Sequence, residues 1–349
     1  MELHSEIVYV AGNYSDTIDL DPGPATSLQY GGPGPILPGP PRTQSIFIAK
    51  LDSLGNLFWG LQINSDYPNN FFGFNHISVS AIAVDKLQNL YITGEFEGYV
   101  DFDPGPASAV EYTLGQRAIF TLKLDAFGSY VWVDIISTSN FDEVSAIAAD
   151  NKGFVYVTGE HESVPPDPAP DVFIAKLSDL DGSTIWLKRF NPDGPSIVSA
   201  DIDVDQFGNV ITVGNFQESL YSDSIDFDPG SGEFFIKSKG GAYISKLSST
   251  GNFVWAKHFN GASINSMDLD HKGQVHVTGT FVNANFDPGI SDTFLGGTST
   301  DVYVSKLNAF GDFLWVGRIN NADESYSINV DIQGDIYTHG TFSGIADFD

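Results

Sequence analysis

One short phrase, Asp-x-Asp-Pro-Gly, is written again and again along this chain of 349 residues. It stands as Val100-Asp101-Phe102-Asp103-Pro104-Gly105, as Ile18-Asp19-Leu20-Asp21-Pro22-Gly23 and as Ile225-Asp226-Phe227-Asp228-Pro229-Gly230. It returns with one change as Asn285-Phe286-Asp287-Pro288-Gly289, in a worn form as Pro166-Asp167-Pro168-Ala169, and in part at Asp347-Phe348-Asp349. A phrase copied at a steady interval means one supersecondary unit used many times, here with a period of about 50 to 70 residues.

The unit reads most clearly from Ser80. Ser80-Ala81-Ile82-Ala83-Val84 alternates, Asp85 to Asn89 turns, and Leu90 to Phe96 alternates again, which predicts a hairpin. Past the repeated phrase, Ala118 to Leu124 and Tyr130 to Ile136 predict a second hairpin, giving four strands in all. The same four return over 144–190, 198–259 and 264–319; residues 7–63 carry the second to fourth only, and 325–349 the first two. Nothing has helical period, so the chain reads as all-β, one domain over 1–349 with four complete repeats (the first being 80–136) and two partial ones.

The turns have a physical reason. In Asp85-x-x-Gln88, Asp150-x-x-Gly153, Asp205-x-x-Gly208, Asp270-x-x-Gly273 and Asp331-x-x-Gly334 the Asp caps a type I turn and the last residue takes the left-handed position of a bulged hairpin. Gln88 breaks that rule. All five tryptophans, Trp59, Trp132, Trp186, Trp255 and Trp315, share one step of the fourth strand, which predicts a repeated packing role. Lys50, Lys123, Lys176, Lys246 and Lys306 share one step of the third and are expected to pair with carboxylates of their own or the adjoining repeat.

Four-stranded antiparallel units joined head to tail without helices predict β-propeller blades. At the Lys-Leu-Asp-x-x-Gly-Asn-x-x-Trp hairpin and the Val-Tyr-Val-Thr-Gly-x-Phe strand, the chain resembles the bacterial SBBP-type β-propeller repeats, along essentially its whole length. The resemblance implies a secreted or cell-surface protein, often of the Bacteroidetes, and a piece of a larger polypeptide that commonly carries a carboxy-terminal sorting domain. It implies no activity, because a propeller hosts many. The fourth-strand hairpin also resembles the tryptophan-docking motif of quinoprotein dehydrogenase propellers, but no cradle for their cofactor is written in the sequence.

Asp and Glu number 45 against 16 Lys and Arg, a net charge of −29 that repels phosphate backbones and anionic membranes. Nucleic acid is therefore excluded as an expected partner. No apolar run approaches the roughly 18 residues of a membrane span, so no membrane insertion is expected. With no cysteine, disulfides and thiolate chemistry are absent. The start, Met1 to Glu6, does not read as a signal peptide, and the chain reads as a fragment.

Irregular connections gather on one face of such a unit: Tyr30 to Pro41, Asn64 to Asn75, and Tyr221 to Gly241. That face is the expected ligand face, for a protein or a glycan. The repeated phrase lies on it. Two acids one residue apart point the same way in an extended segment, so Asp19 and Asp21, Asp101 and Asp103, Asp226 and Asp228, and Asn285 and Asp287 are candidate ligands for Ca²⁺. The other reading of the phrase is a turn, with Asp capping and Pro setting φ.

Tyr67, Phe71, Phe72 and Phe74 form a candidate ligand-binding loop, or else cover a core edge. The histidines, His4, His76, His161, His258, His271, His276 and His339, show no paired metal spacing, and neither a nucleophile elbow nor a phosphate loop occurs. The expectation is a non-enzymatic adhesion scaffold with no cofactor beyond Ca²⁺. Its rival is a polysaccharide lyase or glycosidase that draws on acids near the propeller axis.

Overall fold

A computed structural model describes residues 2–4, 7–30, 44–65, 76–136, 143–161, 171–190, 196–216, 224–237, 240–287, 289 and 293–347. Every regular element among them is a strand. Three separate four-stranded sheets come first. Their strands, in order along each sheet, are Glu2–His4, Ile7–Tyr14, Ser45–Asp52 and Leu57–Asn64; then His76–Val84, Leu90–Glu97, Ala118–Leu124 and Tyr130–Ile136; then Glu143–Ala149, Phe154–His161, Asp171–Ser178 and Thr184–Phe190. The first sheet thus holds one strand more than the sequence showed. Glu2–His4 is too short to alternate visibly, yet it pairs antiparallel with Ile7–Tyr14.

In the rest of the chain the strands run on from one repeat into the next. Ile197–Val204, Val210–Phe216, Gly241–Leu247 and Phe253–Ala262 lead into Val275–Asn285, which also pairs Ser266–Leu269. Phe294–Leu307, Phe313–Val330 and Ile336–Asp347 complete the sheet. Phe313–Val330 serves as the fourth strand of one repeat and the first of the next. The described chain forms two compact units, Met1–Val155 with Leu177–Thr184, and Tyr156–Lys176 with Ile185–Asp349.

The expected turn chemistry is present. Asp85 Oδ1 accepts the backbone N–H groups of Leu87 and Asn89 at 2.8 and 2.9 Å, and Asp125, Asp150, Asp205 and Asp270 each do the same two and four residues on. Gln88 holds the left-handed position with φ of 64°, where its counterparts are glycine. Its side chain has separate work, because Gln88 Oε1 accepts a hydrogen bond from Lys50 Nζ at 2.9 Å.

Lys50, Lys123, Lys246 and Lys306 of the third strand each lie in register between a second-strand residue and a tryptophan, as in Tyr9–Lys50–Trp59 and Tyr91–Lys123–Trp132. Together, lysine and tryptophan reach into the next repeat. Lys123 Nζ and Trp132 Nε1 both donate to the carbonyl of Asp179, at 2.7 and 2.8 Å. Lys50 and Trp59 do so to Ala126, Lys176 and Trp186 to Ser249, and Lys246 and Trp255 to Ala309. The indole also lies against the left-handed glycine of that same turn: a Cβ added to Gly182 would stand 2.7 Å from Trp132. Trp59, Trp132, Trp186 and Trp255 therefore pack one repeat onto the next, as their periodicity predicted. Carboxylate pairing holds for Lys246 with Asp205 (2.9 Å), Lys306 with Asp270 (3.2 Å) and Lys123 with Asp179 (3.7 Å), while Lys50 uses Gln88 and a carbonyl.

Candidate functional site

The repeated acidic phrase closes a small ribbon in each of three repeats, between Thr17–Asp19 and Leu28–Tyr30, Tyr99–Asp101 and Val110–Tyr112, and Ser224–Asp226 and Phe235–Lys237. The middle residue turns inward: Phe102, Phe227 and Phe286 are fully buried and Leu20 nearly so. Phe102 packs on Phe96 and Phe120, with centroids 5.3 and 5.0 Å away.

The acids on either side act first as caps. Asp101 Oδ1 accepts the N–H groups of Asp103 and Ala109 at 3.2 and 2.8 Å, Asp101 Oδ2 accepts the Ser108 hydroxyl, and Asp103 Oδ1 accepts Gly105 N–H at 2.7 Å. Asp19 and Asp21, Asp226 and Asp228, and Asn285 and Asp287 repeat the pattern, with Asn285 substituting its amide oxygen for the carboxylate. The turn reading is thus realised in all four loops. Among the described residues no group of three or more His, Asp or Glu is arranged to hold a metal ion. Tyr67, Phe71, Phe72 and Phe74 lie outside the described residues.

In the second unit, a cleft of about 530 Å³ opens where second strands end, third strands begin and one repeat passes to the next. This is the set of connections expected to make the ligand face. Its floor is aromatic. Phe216 and Phe281 are buried there, and Phe216 meets the His258 ring edge-on at 5.2 Å. Burial lowers the pKa of His258 below its usual value, against the opposing effect of its hydrogen bond with the Gly240 carbonyl, so the imidazole is neutral at physiological pH.

The walls are amides, hydroxyls and bare backbone: Asn215, Asn260, Ser263, Thr280 and Thr300, with Gly240, Gly241 and Gly261. Glycine is required at two of these positions. Gly241 and Gly261 have φ of 105° and 87°, and an added Cβ would lie 2.4 Å from the Phe259 carbonyl and 2.2 Å from that of Asn283. Asn215 is held in place by a two-way clamp, accepting from Ile264 N–H and donating to Ile264 O at 2.8 Å each. Among the described residues, no side chain that ionises near neutral pH lines the cleft. Such a surface offers donors, acceptors and an apolar floor to an uncharged ligand.

A second cluster escaped the sequence reading. Asp201 and Asp203 of Ile197–Val204 reach across to the first strand of the next repeat, where Asp201 Oδ2 accepts Met267 N–H and the Ser266 hydroxyl, and Asp203 Oδ2 accepts Leu269 N–H. Asp268 in turn accepts Val330 N–H at 2.6 Å, and Ser266 accepts Ile328 N–H at 3.3 Å. Asp201 keeps some accessible surface, but burial dominates and pushes its carboxyl up to about 6. Asp203 is driven well above the ordinary range by burial and then by the charge of Asp268, and Asp268 is itself raised by burial. The only signal in the sequence is the alternation of Asp in Asp201-Ile202-Asp203, which reads equally well as a strand's wet face.

No protein-family model matches the chain. Among curated proteins, an uncharacterized WD repeat-containing protein of Acanthamoeba polyphaga mimivirus is 28% identical over 127 residues, 33% of this chain and 8% of the relative's own length. Among solved structures, the Dos1 propeller aligns at a TM-score of 0.42 and 9% identity, over 76% of this chain and 68% of that one. The quinohemoprotein alcohol dehydrogenase of Comamonas testosteroni aligns at 0.43 and 10%, over 95% and 66%.

Proposed function

We propose that the chain is a non-catalytic β-propeller scaffold that binds an uncharged, hydroxyl-rich ligand, such as a neutral glycan, in the cleft at Phe216, Asn260 and Phe281. The observation that carries this reading is the cleft's composition. In a chain of net charge −29, the described residues that line it include no carboxylate and no base. A propeller enzyme of the lyase or glycosidase type would draw instead on acids such as Asp201, Asp203 and Asp268, and each of these is turned onto a backbone N–H of the following repeat. A location outside the cell, in a bacterial surface protein, rests on the resemblance of the hairpins to SBBP-type repeats alone.

The test is a neutral glycan array followed by calorimetry on the best hit. Val282→Trp, at an exposed position of the rim, should plug the cleft and weaken binding about tenfold or more with an unchanged melting temperature. Absence of any hit, together with turnover in a lyase and glycosidase screen, would overturn the reading. The same scaffold is proposed to take Ca²⁺ at the Asp-x-Asp-Pro-Gly loops, on the pairing of two acids in each. Saturating Ca²⁺ should then raise stability by about 2.7 kcal/mol at a hundred times Kd. An equal melting temperature in millimolar Ca²⁺ and in chelator would remove calcium from the proposal.

A further inference from the structure

Two neighbouring residues of the cleft, Asn260 and Gly261, carry a chemistry of their own. Asparagine is among the thermolabile side chains, because the backbone nitrogen of the following residue can attack its amide carbon. A glycine in that following place has no side chain to obstruct the attack. Among all the asparagines of the chain, Asn260 alone is followed by glycine.

The fold leaves this pair open. Both residues are exposed. They stand at a break in the strand ladder: Asn260 lies opposite Asn285 and Ala262 opposite Phe281, and Gly261 between them has no partner residue. The surroundings of its nitrogen are bare as well. A Cβ at Gly241 would stand 3.1 Å from Gly261 N, so the missing side chain uncovers that atom from this direction. Other asparagines have their amides held. Asn89 and Asn209 donate to Asp85 and Asp205 at 2.7 and 2.8 Å, Asn265 donates to the Ser325 carbonyl at 2.7 Å, and Asn215 is clamped on both sides by Ile264. The Asn260 amide makes no hydrogen bond among the described residues.

We propose that Asn260 is a self-modification site, converting to aspartate and isoaspartate in the folded protein. Gly261 N attacks Asn260 Cγ, and the new C–N bond closes a succinimide ring as the Cγ–Nδ2 bond breaks. The proton of the Gly261 N–H leaves with Nδ2 as ammonia. Water then opens the ring, at Cγ to give aspartate or at the main-chain carbonyl to give isoaspartate. Either product sets a carboxylate among described lining residues that include none, and exchanges the N–H donors of an amide for an acceptor-only group. Isoaspartate also lengthens the main chain by a methylene beside Gly261, where an added Cβ would already stand 2.2 Å from the Asn283 carbonyl. For the ligand the consequence rests on the glycan reading: an uncharged ligand that accepts from Asn260 loses its donor, so the cleft weakens as the protein ages.

The test incubates the whole folded chain in mildly alkaline buffer made with heavy-oxygen water, followed by proteolysis and mass spectrometry. Asn260 should convert before Asn215 and Asn265, take up the heavy oxygen, and yield isoaspartate and aspartate together. Asn260→Gln, whose longer side chain would have to close a larger ring, should leave the same peptide unlabelled. Retention of the Asn260 amide overturns the proposal, and so does conversion that occurs only in denaturant. For a neutral glycan found to bind the fresh protein, the aged protein and Asn260→Asp should each bind about tenfold more weakly; equal affinity would break the link between the modification and the ligand. The mass readout needs no glycan, so the glycan reading and the modification can each fail alone.

Discussion

The first strand of the repeat is built in two ways. Counting back from the capping Asp of each turn, the residues four and two before it are Ala81 and Ala83, and Ala146 and Ala148, in the first compact unit. In the second unit they are Asp201 and Asp203, Ser266 and Asp268, and Ser327 and Asn329. The backbone course and the turns are alike, so the polar ladder is not needed to make this fold. What it adds is a set of carboxylate and hydroxyl bonds to the amides of the next first strand, and it does so at the expense of solvation.

That expense has a sign in pH. Folding lifts Asp201 from 3.8 to about 6 and raises Asp203 and Asp268 as well, so the folded state holds these protons more tightly than the unfolded chain. The stability from this source is complete below the ordinary carboxylate range and is lost as pH climbs through the folded values. The second unit should therefore weaken between about pH 4 and pH 6, whereas the alanine pairs contribute nothing of the kind.

Four substitutions probe the contrast. Trp132→Ala and Trp255→Ala remove a contact that both units share, and each should cost about 3 to 4 kcal/mol in chemical unfolding; a large loss in one unit only would mean that the units differ in more than their first strands. Ala148→Asp places an acid at a buried alanine position and should cost on the order of 3 kcal/mol at pH 7 and less at pH 4. If it were tolerated at both, the alanines would not be a separate solution.

In the other direction, Asp203→Asn keeps an acceptor for Leu269 N–H and removes the charge. It should raise stability by roughly 1 to 2 kcal/mol at pH 7.5, with the gain gone by pH 4. Ser266→Ala breaks the bonds to Asp201 and Ile328 N–H and should cost about 1 kcal/mol. A neutral result would leave the carboxylates alone responsible for the ladder.

The sequence reading was strongest where neighbouring residues decide the outcome. The strands Ala118–Leu124 and Tyr130–Ile136 lie where alternation put them, the Asp-x-x-Gly turns are capped by the named Asp, and Phe102 points inward. Glu2–His4 was missed because three residues carry no period. The ladder was missed because its partners stand about 65 positions apart, as Asp201 and Met267 do, and alternation cannot tell a carboxylate facing solvent from one capping a neighbour's amide. The acidic phrase left turn and calcium site both open, since each needs the same oxygens.

The paired lysine and tryptophan always reach forward along the chain, from Trp59 to Ala126, from Trp132 to Asp179, from Trp186 to Ser249 and from Trp255 to Ala309. A repeat therefore owes its indole contact to its successor, and a lesion in one turn is felt by the repeat before it. Damage travels toward the amino terminus.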